Sequence, residues 1–262
     1  MRKTTSMILL AAMLLPALSA CGGEKTQERS LTVFAAASLT ETLTELKTVY
    51  EKDHPGVTIT CSFDSSGTLL TQIQEGAVCD LFLSAAPRQM DALDEQGSLS
   101  EGSRVDLLEN QVVLCVPEGS PKGIESFDDL AQALKGGDML LAMGNSDVPV
   151  GQYTQKILAY YGLNEEELAA AQCVTYGTNV KEVTTQISEG SVDCGVVYCT
   201  DAFSAGLTVA DRATAEMCGQ VIYPAAVLKQ SKNQEAAQAF LDYLTTGAAM
   251  EVFEKAGFSP AG

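Results

Sequence analysis

Short apolar runs alternate along the chain with segments whose apolar positions recur at helical spacing. Leu31-Thr32-Val33-Phe34-Ala35 reads as a buried strand, and Leu39, Leu43, Leu46 and Tyr50 then form a stripe that stops by His54-Pro55-Gly56. Val57, Ile59, Cys61 and Phe63 alternate as a second strand. Leu69, Leu70 and Ile73 mark a helix ending at Gly76, Asp80 to Ser84 a third strand, and Pro87 the start of another helix. This order favours a parallel sheet with helices on both faces. The pattern then restarts, with strands near 111–116, 138–143, 173–176 and 192–198 and helices near 126–135, 152–161, 165–171 and 180–189. A run from Val221 to Leu228 leads into helices at 232–245 and 247–256. The expected fold is α/β in two lobes, each a mostly parallel sheet flanked by helices. Lobe I takes residues 30–108 and 223–262, lobe II residues 109–222, and two crossings make a hinge.

Before this pattern begins, Arg2 and Lys3 precede an apolar run from Met7 to Leu18, too short to span a bilayer as an ordinary helix. Residues 1–20 read as a signal peptide. Leu18-Ser19-Ala20-Cys21 fits a bacterial lipobox, in which Cys21 is lipidated and becomes the mature N-terminus. Residues 21–30 are polar and serve as a flexible tether. The expected product is exported and held through Cys21 at the outer face of the cytoplasmic membrane, or is periplasmic.

Composition narrows the partners. The 262 residues are 46% hydrophobic, sufficient for a real core, and carry 34 acidic against 16 basic side chains for a formal charge of −18. No basic stripe is available to neutralise phosphates, which argues against nucleic acid. Cys61, Cys79, Cys115, Cys173, Cys194, Cys199 and Cys218 remain after Cys21, an odd number without a CxxC. Most lie in apolar runs and read as buried free thiols, with a Cys194–Cys199 bridge as the alternative.

Enzyme signatures are mostly missing: there is no GxSxG, P-loop, HExxH or GxGxxG, and the single histidine, His54, sits at a helix end. What stands out is a set of strand-to-helix junctions rich in neutral donors: Ala36-Ala37-Ser38, Asp64-Ser65-Ser66-Gly67-Thr68, Asp147-Val148-Pro149-Val150-Gly151 and Gly177-Thr178-Asn179-Val180. Each alone is an ordinary N-cap. Together, at the carboxyl ends of strands from two lobes, they could surround a small anion without lysine or arginine.

Phe34-Ala-Ala-Ala-Ser38-Leu-Thr, Ser65-Ser66-Gly67-Thr68-Leu69, Asp80 to Ala85, Val148-Pro149-Val150-Gly151, Gly195-Val196-Val197-Tyr198 and Tyr223 to Val227 resemble, in order and spacing, the molybdate-binding proteins of ABC uptake systems. The similarity runs from about Leu31 to Phe258. It implies a type II, periplasmic-binding-protein-like fold that closes on molybdate or tungstate and delivers it, as a monomer and without a cofactor, to a permease and its ATPase. It also implies the ligand set: hydroxyls of Ser38 and Ser66, amides including those of Ser38, Ser66, Val150 and Val180, and the Tyr198 phenol. These touch the oxyanion's oxygens, and no residue binds the metal directly.

A donor-only cavity suits an ion that is fully deprotonated at neutral pH; a protonated phosphate would leave its own hydrogen unpaired at a cost of about 1–3 kcal/mol. Sulfate is also proton-free, so a receptor for sulfate or a similar oxyanion is the alternative. An exported enzyme with Ser38 or Ser66 as nucleophile is a third reading, and it lacks a base. Asp64 and Asp147 depart from the pattern, and both are expected to face solvent or cap their helices. Cys199 stands where a small residue is common.

Overall fold

A computed structural model describes residues 29–120 and 122–262. The signal peptide, Cys21 and the tether up to residue 28 lie outside the described residues. Arg29 and Ser30, expected in the tether, already pair with the second strand.

The chain runs β1 (Arg29–Ala36), a 3-10 turn (Ala37–Leu39), α1 (Thr40–Asp53), β2 (Val57–Asp64), α2 (Ser66–Gln74), β3 (Leu81–Leu83), α3 (Pro87–Glu95) and β4 (Val105–Asn110). It continues through β5 (Val112–Val116), α4 (Phe127–Gly136), β6 (Leu141–Gly144), α5 (Pro149–Tyr160), α6 (Glu165–Ala170), β7 (Val174–Gly177), α7 (Val180–Ser188), β8 (Cys194–Tyr198), α8 (Cys199–Ala205), β9 (Thr208–Arg212) and α9 (Ala215–Cys218). β10 (Val221–Val227), α10 (Gln234–Leu244), α11 (Gly247–Lys255) and the short β11 (Ser259–Pro260) complete it.

Two sheets result, a six-stranded one ordered β11-β4-β10-β3-β1-β2 and a five-stranded one ordered β7-β6-β8-β5-β9. They form lobes I and II. β1, β2 and β3 run parallel, as do β6, β7 and β8. β10 lies antiparallel between β3 and β4, β11 antiparallel on β4, and β5 antiparallel between β8 and β9. The direction of β5 and β10 follows from the crossings. Each is the first strand after the chain changes lobe, so it starts at the cleft, where the parallel strands of its sheet end. Gln111 alone joins β4 to β5, and Gly219-Gln220 leads from α9 into β10. The two crossings lie side by side, because Asn110 pairs with Val221.

Period-two alternation places Leu31, Val33 and Ala35 of β1 in the main core and Phe34 in a second cluster with Leu69, Ile73, Phe82, Met90 and Leu93, beneath α2 and α3. The main core is continuous from lobe I into lobe II. Each fully buried leucine or phenylalanine in it contributes about 1.5–3 kcal/mol. The apolar pattern did not reveal β4, α8 or β9. β4 carries Asp106 and Glu109 within its six residues, and β9 is a half-buried edge strand ending in Asp211-Arg212.

Candidate functional site

The carboxyl ends of four strands and the starts of their following helices converge between the lobes. β1 leads directly into the 3-10 turn that buries Ser38. β2 leads to Ser65, whose hydroxyl caps α2 by accepting the Thr68 N–H at 3.1 Å, which leaves the next residue, Ser66, fully buried and free of capping duty. In lobe II, α5 begins with Pro149-Val150; proline suits this first position because it has no N–H to leave unpaired. Gly151 is required there, since a Cβ would come within 2.2 Å of the Gly144 carbonyl. Asn179 caps α7 through the Glu182 N–H at 3.1 Å, and β8 ends at the buried Tyr198.

Ser38, Ser66, Val180 and Tyr198 line one interlobe cavity with Ala85, Val148 and Pro149. Val150 is fully buried directly behind Pro149 but is not part of the lining. The closed cavity measures about 10 Å³, room for about one water. A tetrahedral ion would part the walls slightly, and a drug-sized solute is excluded.

Both lobes bring donors to this wall. Ser38, Ser66, Val150 and Val180 occupy first-turn positions, whose N–H groups have no intrahelical acceptor, and no other acceptor serves them among the described residues. Ser66 Oγ accepts the Ala85 N–H at 2.9 Å, so its own hydrogen is free. The Tyr198 phenol donates to the Ala85 carbonyl at 3.4 Å, a long bond that is easily exchanged for a better acceptor. Burial drives the Tyr198 pKa well above the ordinary phenol range and keeps the group a donor.

The cation beside Val180 is held by carboxylates. Lys181, next to Val180, turns its Nζ to Glu41 of lobe I at 3.0 Å and to Asp201 of its own lobe at 3.2 Å. Burial alone would lower the Lys181 pKa, but Asp201 and Glu41 outweigh it and raise the value. Asp201 is fully buried without a hydrogen bond to either carboxylate oxygen, its contact with Lys181 being an ion pair of poor alignment. Desolvation pushes its carboxyl up to about 6 despite the attraction of Lys181.

The two aspartates that depart from the pattern differ. Asp147 is exposed, as expected. Of the two expectations for Asp64, solvent exposure does not hold, since it is half-buried and borders the cavity; its Oδ1 instead accepts the Ser65 N–H at 2.7 Å at the start of α2. Gly67 approaches the backbone of Asp147 across the cleft so closely that a Cβ would sit 2.2 Å from the Asp147 carbonyl oxygen.

Other features stand apart from this site. His54 caps the far end of α1, its Nδ1 2.9 Å from the Tyr50 carbonyl and its ring stacked on Tyr50, about 20 Å along the helix from Ser38. All seven cysteines from Cys61 to Cys218 are free, including Cys194 and Cys199. Among the described residues no helix is long and apolar enough to cross a membrane, and no three His, Cys, Asp or Glu side chains gather as metal ligands. Larger hollows, about 800 Å³ between α3 and α5 and about 300 Å³ beside the crossings, are lined in part by charged side chains, Arg88 and Lys156 in the first and Arg212 in the second.

Sequence reasoning missed Ala85, which serves both Ser66 and Tyr198, and missed Tyr223 and Asn110, which support Ser38. The Ser38 Oγ lies 3.0 Å from the Tyr223 phenol oxygen, which also accepts from Asn110 Nδ2 at 3.2 Å. These pairings join distant parts of the chain, and no local motif announces them.

Comparison with known proteins places this geometry in context. Residues 31–259 match a family model described as bacterial extracellular solute-binding protein. The molybdate-binding protein ModA of Escherichia coli is 33% identical over 246 residues, covering 91% of this chain and 92% of that protein. Its counterpart from Mycobacterium bovis is 31% identical, with 96% of each chain covered. The solved periplasmic molybdate-binding protein of Azotobacter vinelandii superposes with a TM-score of 0.76 at 23% identity, covering 88% of this chain and all of that one, and shares the fold.

Proposed function

The chain belongs to the bacterial extracellular solute-binding proteins, and from that membership we propose that it captures molybdate, and tungstate with it, in the interlobe cavity and delivers the ion to an ABC transporter permease and its ATPase. The observation that carries this reading is a small cavity to which both lobes bring uncharged donors, with Lys181, beside Val180, tied to Glu41 and Asp201. The 31–33% identity to proteins named for molybdate supports the choice of ion. Ser38, Ser66 and Tyr198 donate from side chains and Val150 and Val180 from the backbone. Each such bond to a charged group contributes about 1.5–3 kcal/mol net, enough in sum to hold a dianion without a lysine. Tungstate shares the charge and shape of molybdate and fits the same donors. Lipidation at Cys21 would keep the monomeric receptor beside its permease.

Thermal unfolding with molybdate, tungstate, sulfate and phosphate tests the proposal. A ligand at about one hundred times its Kd stabilises by about 2.7 kcal/mol. Molybdate and tungstate are expected to raise the Tm strongly, and sulfate and phosphate little. An equal response to sulfate would make the protein a general oxyanion receptor, and no response to any of the four would overturn the reading.

A further inference from the structure

Behind Ser38 lies a buried chain of polar groups. Asn110, the last residue of β4, directs its side-chain amide to two oxygens: Nδ2 donates to Thr200 Oγ1 at 3.0 Å and to the Tyr223 phenol oxygen at 3.2 Å. The phenol oxygen in turn lies 3.0 Å from Ser38 Oγ. Ser38, Asn110, Thr200 and Tyr223 are all buried, so water does not compete for these bonds.

The direction of the chain is fixed at its start. Asn110 Oδ1 accepts the Gln111 backbone N–H at 2.7 Å. Turning the amide over would set an NH₂ group against that N–H, so Nδ2 must face Thr200 and Tyr223. The Tyr223 oxygen receives a hydrogen from Asn110, and in its pair with Ser38 Oγ at 3.0 Å either oxygen can donate. With the phenol donating, Ser38 Oγ accepts and its own hydrogen is directed to the cavity. Ser66 is set in the same sense by the Ala85 N–H.

We propose that Asn110 and Tyr223 are positioning residues that preset Ser38 as a hydrogen donor and thereby make the cavity select oxyanions that carry no proton. The inference rests on the oxyanion reading of the site and adds to it the device that sets selectivity. Hydrogen bonds in such a series polarise one another, which strengthens the final donor toward a charged acceptor. An ion bearing a proton would need an acceptor at a place where the relay supplies a hydrogen.

Reversing the relay tests it. In Asn110→Asp the carboxylate accepts from Tyr223, the phenol hydrogen turns away from Ser38, and Ser38 must give its hydrogen to the phenol oxygen. Its lone pairs then face the cavity. Molybdate and hydrogenphosphate would be titrated calorimetrically at about pH 8, where phosphate is a dianion that still holds one proton. The new buried charge repels both dianions alike, so the ratio of their affinities reports polarity and not charge. The ratio of molybdate to phosphate affinity is expected to fall by about 10-fold or more in Asn110→Asp, and by about 3-fold in Tyr223→Phe, where Ser38 is only released. In a Ser38→Ala background Asn110→Asp should leave the ratio unchanged, a result that a general loss of packing would not give.

Unfolding midpoints confirm that each variant is folded; should Asn110→Asp not fold, Tyr223→Phe decides alone. A wild-type ratio in the folded variants overturns the inference. Failure of the wild-type protein to bind molybdate overturns the functional reading instead, so the two failures are distinct.

Discussion

The two walls of the cavity are built from different chemistry. Lobe I presents the hydroxyls of Ser38 and Ser66, each backed by a neutral buried partner, Tyr223 or the Ala85 N–H. Lobe II presents the starts of α5 and α7, where the useful groups are backbone amides, and it keeps an ion pair, Lys181 with Asp201, behind them. Only Tyr198 adds a side-chain donor there. A hydroxyl can be deleted or reoriented by one substitution, whereas an amide survives almost any change of side chain. Lobe I is thus the tunable wall, and lobe II the one whose chemistry is written into the backbone.

The largest effect is expected where the walls meet. Gly67→Val would drive its side chain into the Asp147 carbonyl, 2.2 Å from a Cβ at that position, and so hold the lobes apart. Molybdate affinity should fall by about 100-fold or more, as for a ligand whose binding-competent state is rarely populated, with the unfolding midpoint of the free protein nearly unchanged. Retained affinity would show that the site does not need this closure.

Next in size is a stability effect centred on Asp201. The Asp201 pKa is raised from 3.8 to about 6, so the folded protein holds that proton more tightly than the unfolded chain does. Its contribution is therefore most favourable below about pH 4 and is lost as the pH rises through 6, by up to about 3 kcal/mol. Asp201→Asn should flatten this part of the pH dependence in urea unfolding, and an unchanged slope would show that Asp201 ionises normally.

The contrast between the walls is tested directly by truncating each. Ser38→Ala and Ser66→Ala should each weaken molybdate by about 1–3 kcal/mol in calorimetric titration. Val150→Ala and Val180→Ala, which leave their amides in place, should change affinity by less than about 0.5 kcal/mol, the range of a substitution that removes no key partner. Equal losses on both sides would erase the distinction.

Much of this arrangement was legible in the chain. The helical stripe from Leu39 to Tyr50 and the alternation in β2 specify their elements locally, because burial repeats with the geometry of each element. Ser38, Ser66 and Tyr198 stand where strands end, so their convergence followed once a two-lobed sheet topology was assumed. The supporting residues were not legible. Ser38 and Tyr223 are 185 positions apart, and Asn110 and Tyr223 are 113 apart, so only the folded topology brings them together. Asp64 takes the helix-end role and not the solvent-facing one, a choice that its bond to the Ser65 N–H makes visible only in three dimensions. β4 and β9 were hidden because charged residues interrupt strands that need only part of their surface buried.

The pairing of Asn110 with Val221 has a mechanical consequence. Two covalent connections one strand spacing apart, about 4.8 Å, behave like the pins of a single door hinge: swinging is easy about the line through both, and sliding or twisting is resisted. Travel then grows with distance from that line. In such an opening Gly67 and Glu41 would part most from Asp147 and Lys181, while Asn110 and Tyr223, beside the pins, would scarcely shift. A hinge so placed would let the lobes open and close on an ion without disturbing the contacts of Ser38 with Tyr223 and of Tyr223 with Asn110.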